Sequence, residues 1–330
     1  MVTFQENVPL KNYSNYKIGG PARLFVEVSS TEEIKETLLP TRRDQNDKVF
    51  VLGGGTNVLI GDEGFDGLVI HNKIEGILRL RSGQVEMVEM GSGVMIKDLL
   101  EFCIENSLSG LEWAGGLPGT IGGAVRGNAG AFKGETKDNV LEVRSLDIKT
   151  ESNSAGAKSN LADALEEKIR NNNECSFGYR NSIFKSGEGE GEFITHVVLE
   201  LTEGDKEEIR EKMQQKIDYR NNRHPMDLPN IGSTFKNIPL DSLSSVLQRE
   251  FASFVKTDPF PVVPTAKLLA LAGLKGTRVG DAMISEKHPN FIVNLGNAKA
   301  EDVKSLIQIA KDAIFEKYKI RLEEEIIYLG

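Results

Sequence analysis

The 330-residue sequence has only two cysteines, Cys103 and Cys175, far apart in the chain. That excludes a disulfide scaffold and a paired-cysteine metal site. It also suits a reducing compartment, so the cytoplasm is the expected location. Histidine is scarce too. His71, His196, His224 and His288 lack the spacing of metal ligands, and no metal site is expected. No apolar run approaches the roughly 18 residues that a membrane span needs. The first residues, MVTFQENVPLKNYSNYK, have no apolar stretch of the signal-peptide kind, so no membrane partner is expected. Positive charge is short as well: 40 Lys and Arg face 49 Asp and Glu, for a formal net charge of −9. That balance argues against a nucleic-acid partner.

Glycine is what the chain has in excess. Of 33 glycines, 21 lie in residues 1–134 and 12 in the remaining 196. Glycine costs backbone entropy, so a cluster needs a reason, such as positive φ or close backbone approach. The first third is therefore where a ligand is expected.

A chain of this length should form two or three packed units. Residues 22–28 read as a strand. Ser30 with Glu33 makes a capping-box pattern ahead of Ile34 and Leu38. Residues 48–52 are a second strand, and residues 68–70 close a small β-α-β unit. A second unit begins near Ile74, with a strand over 85–90 and a helix face of Ile96, Leu99, Leu100 and Cys103. Residues 152–173 read as a polar insertion, helical over 161–169. A strand over 196–201 follows, then a helix over 204–220 carrying Ile209, Met213 and Ile217. Residues 220–225 read as a linker into a third unit. That unit should hold a helix over 265–271 stopped near Gly273, a strand over 291–294, a helix with Val303, Leu306, Ala310 and Ile314 inward, and a closing strand over 319–329. The expected boundaries are 1–73, 74–221 and 222–330.

Two glycine loops stand out. In VLGGGTNVLI, Gly53, Gly54, Gly55, Thr56 and Asn57 follow a strand. Exposed N–H groups there could form an anion nest for phosphate, although a tight strand-to-helix turn fits equally. The dinucleotide fingerprint fails, because Val58 occupies its third glycine position. Residues 110–135 carry nine glycines around Trp113, Pro118, Thr120 and Asn128. Such a run suits backbone laid against a flat ligand, or two segments packed closely. Trp113 reads as core.

The segments NYSNYKIGGPA (12–22), VLGGGTNVLIGDEGFDGLVI (51–70) and GLPGTIGGAVRGNAGAFKGE (116–135) resemble the FAD-binding half of the UDP-N-acetylenolpyruvoylglucosamine reductases, enzymes of the bacterial cell wall. The resemblance continues in order through GYRNSIFK (178–185), RNNRHP and IGSTFKN (within 220–237), AGLKGTRVGDAMISEKHPNFIVN (272–294) and LEEEI (322–326). It implies a mixed α/β (α+β) chain, with a vanillyl-alcohol-oxidase-type FAD-binding fold of two subdomains and a C-terminal α+β substrate-binding domain. It also implies a monomer that uses FAD and NADPH to reduce the enolpyruvyl ether of UDP-N-acetylglucosamine enolpyruvate, giving UDP-N-acetylmuramate. Two rival readings are another flavin oxidoreductase of the same fold and an inactive flavin- or UDP-sugar-binding protein.

The resemblance also places residues. The cofactor set is Gly53, Gly54, Gly55, Thr56 and Asn57 in the first loop. In the second it is Gly115, Gly116, Pro118, Gly119, Thr120, Gly122, Gly123, Asn128 and Gly130. Hydride addition to C3 of the substrate leaves a basic carbon at C2 that must be protonated, and Ser233 is the implied acid. Arg180 is the charge-stabilising candidate, since a guanidinium keeps its proton and offers a fork to carboxylate. Strand parity leaves Glu323 and Glu325 open as the third member, and the resemblance selects Glu325. Tyr179, Arg223, Asn237, Lys275 and His288 sit at substrate-contact positions, with Arg220 a weaker addition. Glu324 stands where the family usually has proline, and Ile238 separates Asn237 from Pro239. The short interval between Arg180 and Ser233 resembles the subfamily without a tyrosine-bearing closing loop. Motion of the third unit is then a candidate for excluding water.

Overall fold

The computed structural model describes residues 2–38, 48–83, 85–148 and 167–330. Helix and sheet are mixed throughout. The first sheet runs Gln5–Pro9, Pro21–Val28, Phe65–Asn72, Val49–Leu52, with only its Gln5–Pro9 edge antiparallel. Phe65–Asn72 lies between two partners and is mostly buried, as its apolar run FDGLVIHN requires of a central parallel strand. The helix Thr31–Leu38 crosses between strands. Its cap is shifted by one residue from the expected box. Ser30 Oγ accepts the Glu33 N–H at 3.2 Å, while the Glu33 carboxylate returns to the Ser29 N–H at 2.7 Å.

The second sheet is antiparallel, in the order Glu167–Asn171, Val140–Asp147, Glu192–Glu203, Val85–Gly91, Ile77–Ser82. The helices Ile96–Glu105 and Lys206–Arg223 pack on it through Leu99, Cys103, Ile209 and Met213. The expected helix over 161–169 is not what the described part shows. Residues 161–166 lie outside the described residues, and Glu167–Asn171 is an edge strand. The period is two: Lys168 and Arg170 both reach the buried Glu192 carboxylate, at 2.9 and 2.6 Å. The expected linker over 220–225 also needs correction. Arg220–Arg223 is the last turn of the helix that Asp205 caps, and only His224 onward leaves it.

In the C-terminal part, Thr265–Leu271 forms the expected helix, and Gly273 beyond it has φ +75°. Ala300–Tyr318 buries Val303, Leu306, Ala310 and Ile314. The closing strand is far shorter than residues 319–329. Only Ile327–Leu329 is strand, parallel to Val58–Ile60 of the first unit. Residues 323–325 bond instead to a loop: Lys236 N–H to Glu323 O at 2.9 Å, and Glu325 N–H to Thr234 O at 2.9 Å.

The third unit is tied firmly to the first. Tyr16 Oη donates to Ile292 O at 2.9 Å, and Asn294 Nδ2 to Tyr16 O at 3.0 Å. Asp62 accepts the Ala300 and Glu301 N–H groups at the start of the long helix. Tyr16, Ile18 and Leu59 belong to the same apolar cluster as Leu306 and Ile314. A rigid-body swing of this unit would have to break these ties. Among the described residues no helix is long and apolar enough to cross a membrane.

Candidate active site

The two glycine loops meet. A Cβ on Gly54 would lie 2.9 Å from Gly119 Cα, one on Gly53 2.7 Å from Thr120 Oγ1, and one on Gly119 2.8 Å from Thr56 Oγ1. The first loop leads into the strand Val58–Ile60, not into a helix. Thr120 is buried and caps the helix Ile121–Gly127 by accepting the Gly123 N–H. Close packing explains several of the other glycines. Gly115 and Gly116 lie against the helix Lys206–Arg223, Gly122 against Ser92, and Gly130 against Glu135 and Gly134. Two positions are different. A Cβ on Gly127 would meet nothing within 4 Å, and one on Gly123 only Thr120 Oγ1 at 3.5 Å. These residues are four apart, on one helix face. A strip of bare backbone therefore lies beside the junction of the loops, and Pro118, next to Gly119 of that junction, is exposed. Trp113 is half-buried against the second apolar cluster. Asn128 does not face open space. It is fully buried, ends the helix in a left-handed conformation, and bonds Gly178 O and the Lys137 N–H.

Arg180 and Glu325 come together, 145 residues apart in sequence. Arg180 Nε lies 2.8 Å from Glu325 Oε1 as an ion pair, with side chains 19% and 21% exposed. Arg180 Nη2 donates to Gly130 O at 2.8 Å, which joins the pair to the second glycine loop. Asn57 Nδ2 donates to Glu325 O at 3.1 Å, which joins it to the first. Ser233 sits in the neighbouring turn. Gly232 before it has φ +83° and donates to Asn230 Oδ1, and Thr234 after it accepts the Glu325 N–H. The geometry separates the two glutamates that parity could not. Glu323 is 75% exposed and paired with Lys236 at 3.1 Å, while Glu325 faces Arg180. Glu324, in place of a proline, is held by Lys311 and by the Tyr328 hydroxyl.

Tyr179 and Asn237 flank this pair: the Asn237 N–H donates to Tyr179 Oη at 3.3 Å. The Asn237 side-chain oxygen accepts the Thr265 N–H at 3.2 Å, so it is engaged at a helix start. Burial pushes the Tyr179 phenol up. Arg223, Lys275 and His288 lie in a different group. Arg223 is exposed over Tyr219, Lys275 is exposed, and His288 packs on His224 and Phe291 with ring centroids 5.1 and 4.9 Å away. Arg220 lies on the first group's side. Its Nε donates to Gly115 O at 2.9 Å, its Nη2 is buried with no hydrogen-bond partner among the described residues, and burial with the nearby Arg180 charge pushes it down to about 10.

Burial, reinforced by surrounding cations, pushes both His224 and His288 down to about 4. Both are neutral at pH 7. Their folded values lie below the ordinary one, so between about pH 6.5 and pH 4 the unfolded chain takes up protons that the folded chain refuses. Stability should be intact above that window and fall within it. Thermal unfolding measured across these pH values should show a steeper loss for the unmodified protein than for a His224→Gln/His288→Gln double variant. Equal slopes would assign the loss to other groups.

Two further residues inside the motifs above belong to this site without standing out in the sequence. Lys185 ends GYRNSIFK, and its Nζ donates to Arg180 O at 3.0 Å. Arg126, within GGAVRGN, is held down by burial and lies near the same cluster. The signal available was proximity in sequence to residues already singled out. Among the described residues no group of three or more His, Cys, Asp or Glu is placed to hold a metal ion. Both cysteines are buried, and burial pushes their thiols up to about 12.

The bare face at Gly123 and Gly127 and the unpartnered buried Arg220 Nη2 fit a flat, anionic group such as FAD. Residues 22–151 match the family described as FAD binding domain. The chain is an FAD-dependent oxidoreductase. Residues 224–329 match the family described as UDP-N-acetylenolpyruvoylglucosamine reductase, C-terminal domain. The UDP-N-acetylenolpyruvoylglucosamine reductase of Caldicellulosiruptor bescii is 34% identical, over 100% of this chain and 91% of its own. That of Syntrophus aciditrophicus is 35% identical, over 100% and 92%. The crystal structure of the Thermus caldophilus reductase aligns with a TM-score of 0.70 at 30% identity, covering 100% of this chain and 99% of that one. The chain belongs to the UDP-N-acetylenolpyruvoylglucosamine reductase family.

Proposed function

We propose that this protein reduces UDP-N-acetylglucosamine enolpyruvate to UDP-N-acetylmuramate with NADPH as hydride donor, acting as a monomer in the cytoplasm. The observation that carries this reading is the Arg180–Glu325 ion pair, set between both glycine loops and beside the Ser233 turn. Bound FAD would supply the hydride chemistry that links the nicotinamide to C3 of the substrate. The glycine cradle and Arg220 would hold it. A guanidinium has five N–H donors. Gly130 O takes one Nη2 N–H, and Glu325 lies in ion-pair contact with Nε without accepting its N–H, which leaves the remaining donors to bind the substrate carboxylate and the charge developing there. The Ser233 hydroxyl gives its proton to C2. The diphosphate falls to the cations outside this pair, Arg223 and Lys275, with Lys256 and Lys287 near the same histidines. A locally basic site thus sits on a chain of net charge −9. Stopped-flow absorbance tests the reading. NADPH should bleach the flavin, and the enolpyruvyl substrate should restore its colour without oxygen. Recovery only with oxygen would instead make the protein a flavin oxidase of another substrate.

A further inference from the structure

Arg180 is held in an unusual backbone conformation, φ +55°, which side-chain-bearing residues seldom adopt. Part of the support is local. Gly178 and Asn181 close the turn with paired bonds of 2.9 and 3.2 Å between their main-chain groups. Those bonds leave the Arg180 carbonyl free, and it is Lys185 Nζ that takes it, at 3.0 Å. The residues between set the lysine in place. Ser182 Oγ donates to Arg126 O at 2.8 Å, and Phe184 is 1% exposed.

A lysine is a costly choice for this contact. Lys185 is half-buried, and among the described residues no carboxylate lies within ion-pair distance of it. Burial pushes its ammonium down. Lys236, Arg126 and Arg180 add to that, and Glu325 alone opposes it. A main-chain carbonyl would be satisfied equally by water or by a neutral donor. A desolvated charge bonded to one carbonyl needs a reason that packing does not supply.

We propose that Lys185 is a positioning residue for Arg180: its ammonium clamps the Arg180 carbonyl, keeps the left-handed turn closed, and so aims the guanidinium at Glu325 and at the substrate carboxylate. The inference rests on the function proposed above, in which Arg180 receives that carboxylate. Lys185 acts through Arg180 and touches no reacting atom itself.

Lys185→Met keeps the apolar stem and removes the charge, and Lys185→Arg keeps the charge. Flavin reduction by NADPH should proceed at the original rate in both variants. Reoxidation by the enolpyruvyl substrate should slow in Lys185→Met by up to about 10²-fold, the scale of loss when a reacting group is misplaced by an ångström. Lys185→Arg should recover most of that loss, and its rate should hold to higher pH, because a guanidinium keeps its proton where the lowered ammonium does not. A crystal structure of Lys185→Met should show Arg180 drawn away from Glu325. An intact Arg180–Glu325 pair with unchanged reoxidation would overturn the proposal. So would an equal loss in both half-reactions that Lys185→Arg fails to rescue, which marks a merely structural lysine. The unmodified protein is the control for the underlying reading. If its own flavin ignores the enolpyruvyl substrate, the function is wrong, and the crystal structure alone then judges the clamp.

Discussion

Ser233→Ala should leave flavin reduction by NADPH intact and slow reduction of the enolpyruvyl substrate by about 10²–10⁴-fold, the usual contribution of a positioned general acid. The turn that carries Ser233 is held without its hydroxyl. Asn230 Oδ1 accepts the Gly232 N–H at 3.0 Å, the Thr234 N–H reaches Asn290 O at 2.7 Å, and the Asn290 side chain bonds Phe235 at both its N–H and its carbonyl. Alanine removes one oxygen from a half-buried position and disturbs none of these bonds. The folded structure and the flavin site should survive, so a fall in rate confined to the second half-reaction reports chemistry. Single-turnover measurement of each half-reaction separates the two. A near-normal second half-reaction would assign the proton to another group.

The sequence made the chemistry of this site easier to find than its geometry. Arg180, Ser233 and Glu325 sit in recognisable motifs, and the resemblance singles them out as candidates. What was hidden is how they are held. Asn57, expected on the cofactor, bonds the Glu325 carbonyl, a partner 268 residues away. No local pattern encodes that contact. Alternation alone left Glu323 and Glu325 open, because residues two apart share one strand face, and only the resemblance chose Glu325; their main-chain bonds to residues 234–236 had no local signature. Helices with long apolar stripes, such as Ala300–Tyr318, were legible because burial of one face dictates their period. The edge strand Glu167–Asn171 was not, since its alternating Lys168 and Arg170 read as polar surface until the buried Glu192 is seen beneath them. The glycine excess was the clearest sequence signal and the most ambiguous. Most of those glycines let one protein segment approach another, and only a few leave backbone bare.

Gly55→Ala separates these uses of glycine, and it should both destabilise the protein and empty it of FAD. Gly55 has φ +61°, and a Cβ there would lie 2.0 Å from Tyr13 O, a main-chain atom that cannot rotate away. The left-handed conformation costs an alanine about 1–2 kcal/mol, and overpacking adds roughly 1–3 kcal/mol. Relief requires the loop and the Tyr13–Asn15 segment to part. The Asn15 N–H donates to Gly55 O at 3.0 Å, and Asn15 Nδ2 donates to Asn230 O at 2.8 Å, beside the Ser233 turn. Displacement at Gly55 therefore reaches the first glycine loop directly and the Ser233 turn through one residue. Gly83→Ala is the matched control. Gly83 has φ +63° and nothing within 4 Å of its would-be Cβ, so it carries the conformational cost without the clash. Urea unfolding of the apoproteins should rank the unmodified protein above Gly83→Ala and Gly83→Ala well above Gly55→Ala. The ratio of visible flavin absorbance to protein absorbance after purification should fall for Gly55→Ala alone. Equal behaviour of the two variants would mean that the close approach to Tyr13 does not hold the cofactor loop in place.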